Sequence, residues 1–271
     1  MATLPLKRDL IDDPANYRLA LLIATDAIDV SVRRVAGEAE PITAHIALQQ
    51  GVDFASAVEE AIYANPLLPA QLFNRVDIVI RPERFQLLDA ATAADAAAVE
   101  ALCDLIHDDN MAPAPVVCPV SDNYSAVALL PQDLMRFINR TFDRAHIHCH
   151  LGVLASYFAR QSRQGNCDKI YAVIHGSNVD VLAFNATGLT AANSFVCPNI
   201  NDAAYYILSL AKMLNFKAET DHLIVAGDAP LRATLLGRLR DFVANALPAI
   251  LPAEAGTANL PVHLQILPLC E

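Results

Sequence analysis

The sequence lacks several features that would place it at once in a familiar class. Its 271 residues contain no tryptophan and nine glycines. No apolar run approaches the roughly 18–20 residues that a membrane-spanning helix needs. Residues 1–13 contain neither the apolar core nor the small-residue cleavage site of a secretion signal. These absences predict a cytoplasmic protein without a transmembrane segment.

Paired cysteines are also missing. The six cysteines lie far apart, and none belongs to a Cys-x-x-Cys motif. Without such spacing, a zinc knuckle and a thioredoxin-like redox motif are excluded. We therefore expect reduced thiols that pack as small hydrophobic side chains.

Positive charge is scarce. Lysine and arginine together number 19, against 30 aspartates and glutamates, which gives a net charge of −11. A surface of this sign repels the phosphate backbone of nucleic acids, so no direct nucleic-acid partner is expected. Apolar residues make up 54% of the chain, which is ample for well-filled cores.

What the sequence does contain is an internal duplication. Residues 22–32 and 173–183 both consist of an apolar strand, a short polar turn and a second strand. The second strand opens on an Asp-Val pair in each copy, at Asp29 and at Asp180. We expect both aspartates to have a structural role at the end of the turn.

The same order of elements continues through both copies. After a third strand, each copy has a helix with an acidic residue in its opening turn, near Asp53 in one and Asp202 in the other, where a negative charge suits the helix dipole. A buried strand, a second helix and a closing strand follow. The predicted ranges are 42–48, 76–80, 94–106 and 145–149 in the first copy, and 189–195, 223–226, 231–247 and 262–267 in the second.

This order, β-β-β-α-β-α-β, is that of an α/β ribonuclease-H-like module. Two such modules in tandem form the architecture of actin, Hsp70 and the sugar kinases. We predict a first module at residues 1–164 and a second at 165–271. The first carries an extra hairpin and helix at about 113–142, with a Ser121-Asp122-Asn123-Tyr124 turn between the hairpin strands.

Three segments of the second copy resemble the signature of a bacterial family. They are Asn193-Ser194-Phe195, Asp202 with Tyr205-Tyr206-Ile207-Leu208, and Leu223-Ile224-Val225-Ala226-Gly227-Asp228. That family is described as a domain of unknown function and is grouped by fold with the actin-like ATPases. The resemblance covers nearly the whole chain and implies the fold without an activity. More widely, the chain resembles the actin-like scaffolds of pilus-assembly and secretion machines.

The carboxylates that such folds use for ATP chemistry are missing from their expected positions. In Hsp70-like members, a carboxylate on the strand leading into each phosphate-binding turn positions magnesium and the attacking water. Aligned on the Asp-Val pairs, those positions hold Leu22 and Val173. An aliphatic side chain cannot ligate magnesium, so we predict no ATP hydrolysis by the usual mechanism.

Nucleotide binding without turnover is an alternative. Of the glycine-rich turns, Gly176 remains, followed by Ser177 and Asn178, while Gly227 and Asp228 follow the fourth strand of the second copy. Glycine lets the backbone approach an anion, and the helix after Asp228 could receive a ribose or an anion at its N-terminus. ATP would then be the cofactor of a nucleotide-dependent switch or kinase-like enzyme, with these five residues lining an inter-domain cleft.

A second alternative is a divalent metal bound by His146, His148 and His150. Alternate residues of a strand share a face, and zinc or a similar ion accepts three such ligands. The competing interpretation is structural, because the closing strand of a parallel sheet is buried on both faces. Cys149 is expected to face away from its histidine neighbours.

The leading hypothesis is a non-catalytic interaction or scaffold protein on a degenerate actin-like fold. It rests on the loss of both strand carboxylates from a scaffold that otherwise persists. The expected partner is another protein, bound through the hairpin turn Ser121-Asp122-Asn123-Tyr124, since insertions on a rigid core are where new contacts arise. Tyr205 and Tyr206, in an apolar helix, are expected to pack internally.

Overall fold

A computed structural model of the chain describes residues 6–37, 39–69, 72–106, 113–142, 144–251 and 260–270. The chain divides into two compact units, the first formed by Met1–His150 with Ala253–Leu260, the second by Leu151–Pro252 with Pro261–Glu271. The first stretch of the first unit therefore ends at residue 150, whereas the sequence predicted a boundary after residue 164. Among the described residues, no helix has the length and apolar character needed to cross a membrane.

The first unit is built on two sheets. Its strands are β1 (Tyr17–Ile23), β2 (Ala27–Arg34), β3 (Ile42–Ala47), β4 (Arg75–Ile80), β5 (Phe85–Asp89), β6 (Pro113–Pro119), β7 (Tyr124–Pro131) and β8 (His146–Cys149). Its helices are α1 (Phe54–Tyr63), α2 (Ala90–Ala94), α3 (Ala96–Ile106) and α4 (Gln132–Thr141). The larger sheet has the order β3-β2-β1-β4-β8, with an antiparallel meander followed by two parallel strands, and the smaller has the order β5-β7-β6.

Local sequence explains where α1 begins and which face it buries. The Asp53 carboxylate accepts hydrogen bonds from the N–H groups of Ala55 and Ser56, which caps the helix as expected for an acidic residue at this position. Val58 and Ile62 then pack into the core formed by the alternate apolar residues of β1. β4 is buried along almost its whole length, as a central parallel strand should be.

The second unit repeats this plan. It contains helices α5 (His150–Ser162, whose first residue belongs to the first unit), α6 (Ile200–Met213), α7 (Ala229–Leu239) and α8 (Val262–Ile266). Its strands are β9 (Lys169–His175), β10 (Asn178–Asn185), β11 (Gly188–Val196), β12 (His222–Gly227) and β13 (Ala246–Pro248), in the order β11-β10-β9-β12-β13. The Asn199 side chain caps α6 by accepting from the N–H groups of Asn201 and Asp202.

Two predictions at the end of the second unit are wrong. Residues 262–267, predicted as the closing strand, form α8 and the start of a 3-10 turn. The strand that closes the sheet is β13, which overlaps the end of the predicted helix 231–247 and pairs in parallel with β12. A short apolar run has no diagnostic period, and Pro261 at the N-cap of α8 favours a helix start.

The insertion in the first unit contains the predicted hairpin and helix as β6, β7 and α4, and its hairpin pairs with a strand outside the insertion that the sequence did not predict. β5 pairs antiparallel with β7 and makes the hairpin a three-stranded sheet. The predicted helix 94–106 is preceded by the separate short helix α2, which begins where the Asp89 side chain accepts from the Thr92 N–H. β5 has five residues whose polarity does not alternate, so the sequence has no periodic pattern that would predict a strand there.

Candidate functional site

The two positions that would hold catalytic carboxylates are occupied by buried aliphatic side chains. Leu22 on β1 is 2% exposed and Val173 on β9 is 1% exposed. Each lies directly across the antiparallel ladder from the aspartate of the Asp-Val pair in its own unit, Leu22 opposite Asp29 and Val173 opposite Asp180. Neither strand therefore offers an oxygen ligand at this position.

Asp29 and Asp180 bind side chains of their own units. The Asp29 Oδ1 atom lies 2.7 Å from His45 Nδ1, on the neighbouring strand β3. Asp180 accepts a hydrogen bond from the Ser194 hydroxyl on β11 and lies 3.2 Å, through Oδ2, from His263 Nε2 on α8. Both carboxylates thus hold neighbouring elements together, beyond the turn-terminating role that the sequence suggested.

The structure brings the predicted nucleotide-contacting residues to the end of the second sheet at which β9 and β12 terminate. β9 and β12 run parallel and end side by side, so the turn after β9 meets the start of α7. The Gly176 N–H donates to Asp228 Oδ2 at 2.9 Å, and His175 Nδ1 lies 3.3 Å from Asp228 Oδ1. Ser177 completes the turn, and Asn178 begins β10.

The geometry of Gly227 explains why this position is a glycine. Its φ of +108° lies in the left-handed region, and a Cβ atom there would be 1.8 Å from the carbonyl oxygen of Ile174. Any larger residue would have to displace the backbone of β9. The glycine is therefore required by the fold itself, without reference to a ligand.

The Asp228 carboxylate carries its negative charge against the β9–β10 turn. The hydrogen bond with His175 lowers the pKa of Asp228, burial opposes the shift, and the Gly176 N–H lowers the pKa further. Arg232 Nη1 lies 3.5 Å from the carbonyl oxygen of Gly227, at the first turn of α7. The Gly176 N–H of the turn is therefore bound to a carboxylate of the same unit.

The three clustered histidines have different surroundings. His146 is exposed on β8, whereas His148 Nε2 lies 2.8 Å from Asp77 Oδ1 on β4. His150 is fully buried at the start of α5, with its ring edge-on to Phe85 at 5.6 Å between centroids. Within the described ranges, no three His, Cys, Asp or Glu side chains are grouped to hold a metal ion. The metal site stays a prediction from the sequence.

The expectation that Cys149 faces away from its neighbours is wrong for one of them. Its Sγ atom lies 3.6 Å from Nδ1 of His150. β8 ends at Cys149 and α5 begins at His150, so the strand alternation on which the expectation depended stops between them.

Sequence reasoning missed a polar cluster around Asp77, a buried residue of β4. The Arg75 guanidinium donates to both carboxylate oxygens of Asp77, at 2.7 and 2.9 Å, and His148 contacts the same carboxylate. Burial raises the pKa of Asp77, but the hydrogen bonds from His148 and Arg75 outweigh it and leave the pKa below its ordinary value. His148 is distant from Asp77 in sequence, so no local pattern predicts the contact between the two side chains.

The hairpin turn of the first unit has exposed side chains but a backbone that is tied to α2. Asp122 and Asn123 are exposed, whereas Ser121 and Tyr124 are half-buried. The Asn123 carbonyl oxygen accepts a hydrogen bond from the Ala90 N–H at 2.8 Å, which ties the turn to the start of α2.

Comparison with known proteins confirms the fold. A family model described as "Protein of unknown function (DUF3822)" matches residues 8–246. No curated protein matches the sequence significantly. A Bacteroides thetaiotaomicron protein with actin-like ATPase fold and unknown function is 22% identical, with 95% of this chain and 97% of that chain covered and a TM-score of 0.78. A PilM–PilN type IV pilus biogenesis complex matches at 13% identity, covering 95% and 99%, with a TM-score of 0.55.

Proposed function

The chain belongs to the family described as a protein of unknown function (DUF3822), and we propose that it is a non-catalytic interaction protein on an actin-like fold. One observation carries the proposal: the strand positions of both units that would need a magnesium-binding carboxylate hold buried Leu22 and Val173. Phosphoryl transfer in this fold depends on positioned metal and water, which these side chains cannot supply.

The turn of the second unit supports the same conclusion. Because the Gly176 N–H already donates to a carboxylate of lowered pKa, a phosphate would have to displace Asp228 and would meet its negative charge. The hydrogen bond also holds the turn against α7. In this proposal, the carboxylate holds the turn through the N–H group that a phosphate would otherwise need.

The proposed partner is another protein. The similar PilM protein was solved in a complex with PilN, and we extend that mode of action to this chain by analogy of fold alone. One candidate contact is the hairpin turn of the first unit, because its backbone is hydrogen-bonded to α2 while Asp122 and Asn123 are exposed. A rigid, exposed insertion costs little conformational entropy on binding.

Calorimetric titration with ATP and ADP, with and without magnesium, tests the absence of catalysis. We expect no release of phosphate and no saturable heat at millimolar nucleotide. Thermal unfolding checks the result, since a ligand at about 100 times its Kd adds roughly 2.7 kcal/mol of stability. Magnesium-dependent turnover of ATP would contradict the proposal.

The hairpin contact is tested by capture of partners with the full chain and with the double variant Asp122→Lys, Asn123→Lys. Both side chains are exposed, so the fold should be unaffected. The matched control is Glu83→Lys, another exposed site of the first unit. We expect the double variant to lose partners that the control retains; recovery of the same partners by both would rule out the hairpin.

Nucleotide binding without turnover is the second candidate, favoured by the meeting of Gly176, Ser177, Gly227 and the start of α7 at one sheet edge. If the Asp228 carboxylate occupies the place of a phosphate, Asp228→Ala should free the Gly176 N–H and raise ADP affinity. Asp202→Ala, which removes the same charge elsewhere in the second unit, is the control. Saturable binding that tightens in Asp228→Ala alone would make this the better function.

A further inference from the structure

The edge strands of the sheets differ in how well they are protected against pairing with another chain. Natural edges are shortened or carry proline or charge. β6 contains Pro113, Pro115 and Pro119, and β13 has three residues and ends in Pro248. β5 and β8 have five and four residues. Each of these edges is thus unsuited to an added strand.

β11 has none of these protections. It is nine residues long, its sequence Gly-Leu-Thr-Ala-Ala-Asn-Ser-Phe-Val contains neither proline nor a charged residue, and within its sheet it pairs with β10 alone. It is also longer than β3, the remaining edge, which has six residues and includes His45. An unprotected edge of this length is a template for an extended segment.

Hydrogen bonding shows which residues of β11 present their backbone outward. The Ser194 N–H does not bond to β10 and donates instead to Asn193 Oδ1 at 2.8 Å. Since the direction alternates along an antiparallel strand, Ala192 and Val196 share the outward orientation of Ser194. Among the described residues, no backbone group outside the strand's own sheet pairs with Ala192 or Val196.

An aromatic surface flanks the same edge. The rings of Phe195 on β11 and Tyr206 on α6 are stacked, with centroids 4.7 Å apart and planes 3° apart, and Tyr205 packs edge-on against Tyr206. Tyr205 is 67% exposed and Val196 is 70% exposed. Exposed tyrosines beside outward backbone groups offer side-chain contacts in addition to main-chain hydrogen bonds.

We propose that β11 is a docking edge to which an extended, net basic segment of a partner protein adds as a further strand. The inference rests on the proposed function and gives it a surface and a class of partner. The outward backbone groups require main-chain donors and acceptors, which an extended segment supplies. The net charge of −11 favours a basic segment and opposes a second copy of this chain, because two copies repel each other.

The probe is a random dodecapeptide library displayed on phage and selected against the full chain. We expect the selected peptides to be rich in lysine, arginine and β-branched or aromatic residues. Their binding should slow amide hydrogen exchange at Ala192 and Val196. Val196→Pro, which removes an outward N–H at an exposed strand end, should weaken binding roughly tenfold, whereas Val196→Thr, which keeps it, should change binding less than about threefold.

The edge assignment has a matched control in the first unit, where Val117→Pro changes an exposed residue of the proline-rich strand β6 and should leave binding unchanged. Peptides that protect other amides, or a library that yields no binder, would overturn the proposal. So would a dimer in sedimentation that Val196→Pro dissociates, since the occupant would then be a second copy. ATP turnover would contradict the proposed function and leave these outcomes unaffected.

Discussion

The two units have the same hydrogen bonds at the end of their central strands but opposite charges there. The Arg81 N–H donates to Ile23 O at 2.9 Å in the first unit, and the Asp228 N–H donates to Ile174 O at 3.0 Å in the second. Backbone duplication has therefore survived to the level of single hydrogen bonds. The side chains on that backbone have been replaced, so the duplication preserved a fold and not a shared chemical site.

The equivalent aspartates of the two second strands show a similar difference. Asp29 faces His45, whose side chain is 61% exposed, whereas Asp180 and His263 are both almost completely buried. The second unit thus depends on a buried polar network that also holds α8 against the sheet. The first unit has a partly solvated pair at the same place, and removal of the carboxylate should have very different consequences in the two units.

Asp180→Ala is expected to have the largest effect. Without the carboxylate, the buried His263 loses a hydrogen-bond partner inside the fold, which costs about 3–5 kcal/mol. Asp29→Ala should cost about 1 kcal/mol or less, since water reaches His45. Urea unfolding followed by circular dichroism measures both, and His263→Ala against His45→Ala repeats the comparison. Equal losses in the two units would show that burial does not distinguish them.

Gly227→Ala tests the backbone at the end of β12. The alanine Cβ would meet Ile174 O while φ stays at +108°, so we expect a loss of about 3 kcal/mol or more in the free energy of unfolding. Gly176→Ala, with φ +54° and no atom within 4 Å of the added Cβ, should cost about 1 kcal/mol. Similar urea midpoints for the two variants would contradict the close approach.

Acid titration compares Asp77 in the first unit with Asp228 in the second. Both have a lowered pKa in the folded chain. A carboxyl of this kind stabilises the fold above its unfolded pKa, and the contribution disappears as the pH falls through the folded pKa. Asp77→Asn should therefore lower stability at pH 7, and its effect should shrink as the pH falls below 3.8, the ordinary pKa of an aspartate.

Asp228→Asn should show the same pH dependence with a smaller amplitude. The Asp228 side chain is more exposed than that of Asp77, so water screens its interaction with His175. Urea midpoints measured from pH 7 to pH 3 decide the order. A larger amplitude for Asp228 than for Asp77 would mean that the turn of the second unit matters more for stability than the polar cluster around Asp77.

Much of the fold was predictable because it is encoded locally and then repeated. The apolar strands around Leu22 and Val173, and the acidic residues at the starts of α1 and α6, recur in the same order, so each copy supported the interpretation of the other. The closing strand β13 has three residues, and no period can be detected in so short a segment.

The side-chain clusters could not be predicted for a different reason. His148 meets Asp77, and His263 meets Asp180, across long stretches of sequence, and only the folded sheet determines which side chains become neighbours. The sequence grouped Gly176 and Asp228 as candidate nucleotide-contacting residues, a role that stays a prediction. What the sequence could not indicate is that the carboxylate itself would bind the turn N–H.

Replacement of Tyr205 or Tyr206 by alanine is expected to have the smallest effect on the free energy of unfolding. Both side chains, which belong to helix α6, were predicted to pack internally. Tyr205 is mostly exposed, whereas Tyr206 stacks on Phe195. Tyr205→Ala should change the free energy of unfolding by less than about 0.5 kcal/mol, as for other surface sites. Tyr206→Ala should cost about 1 kcal/mol, because it removes a stacked aromatic pair. Thermal unfolding of the two variants measures the difference, and a large loss for Tyr205→Ala would show that this ring supports the fold and is not available to a partner.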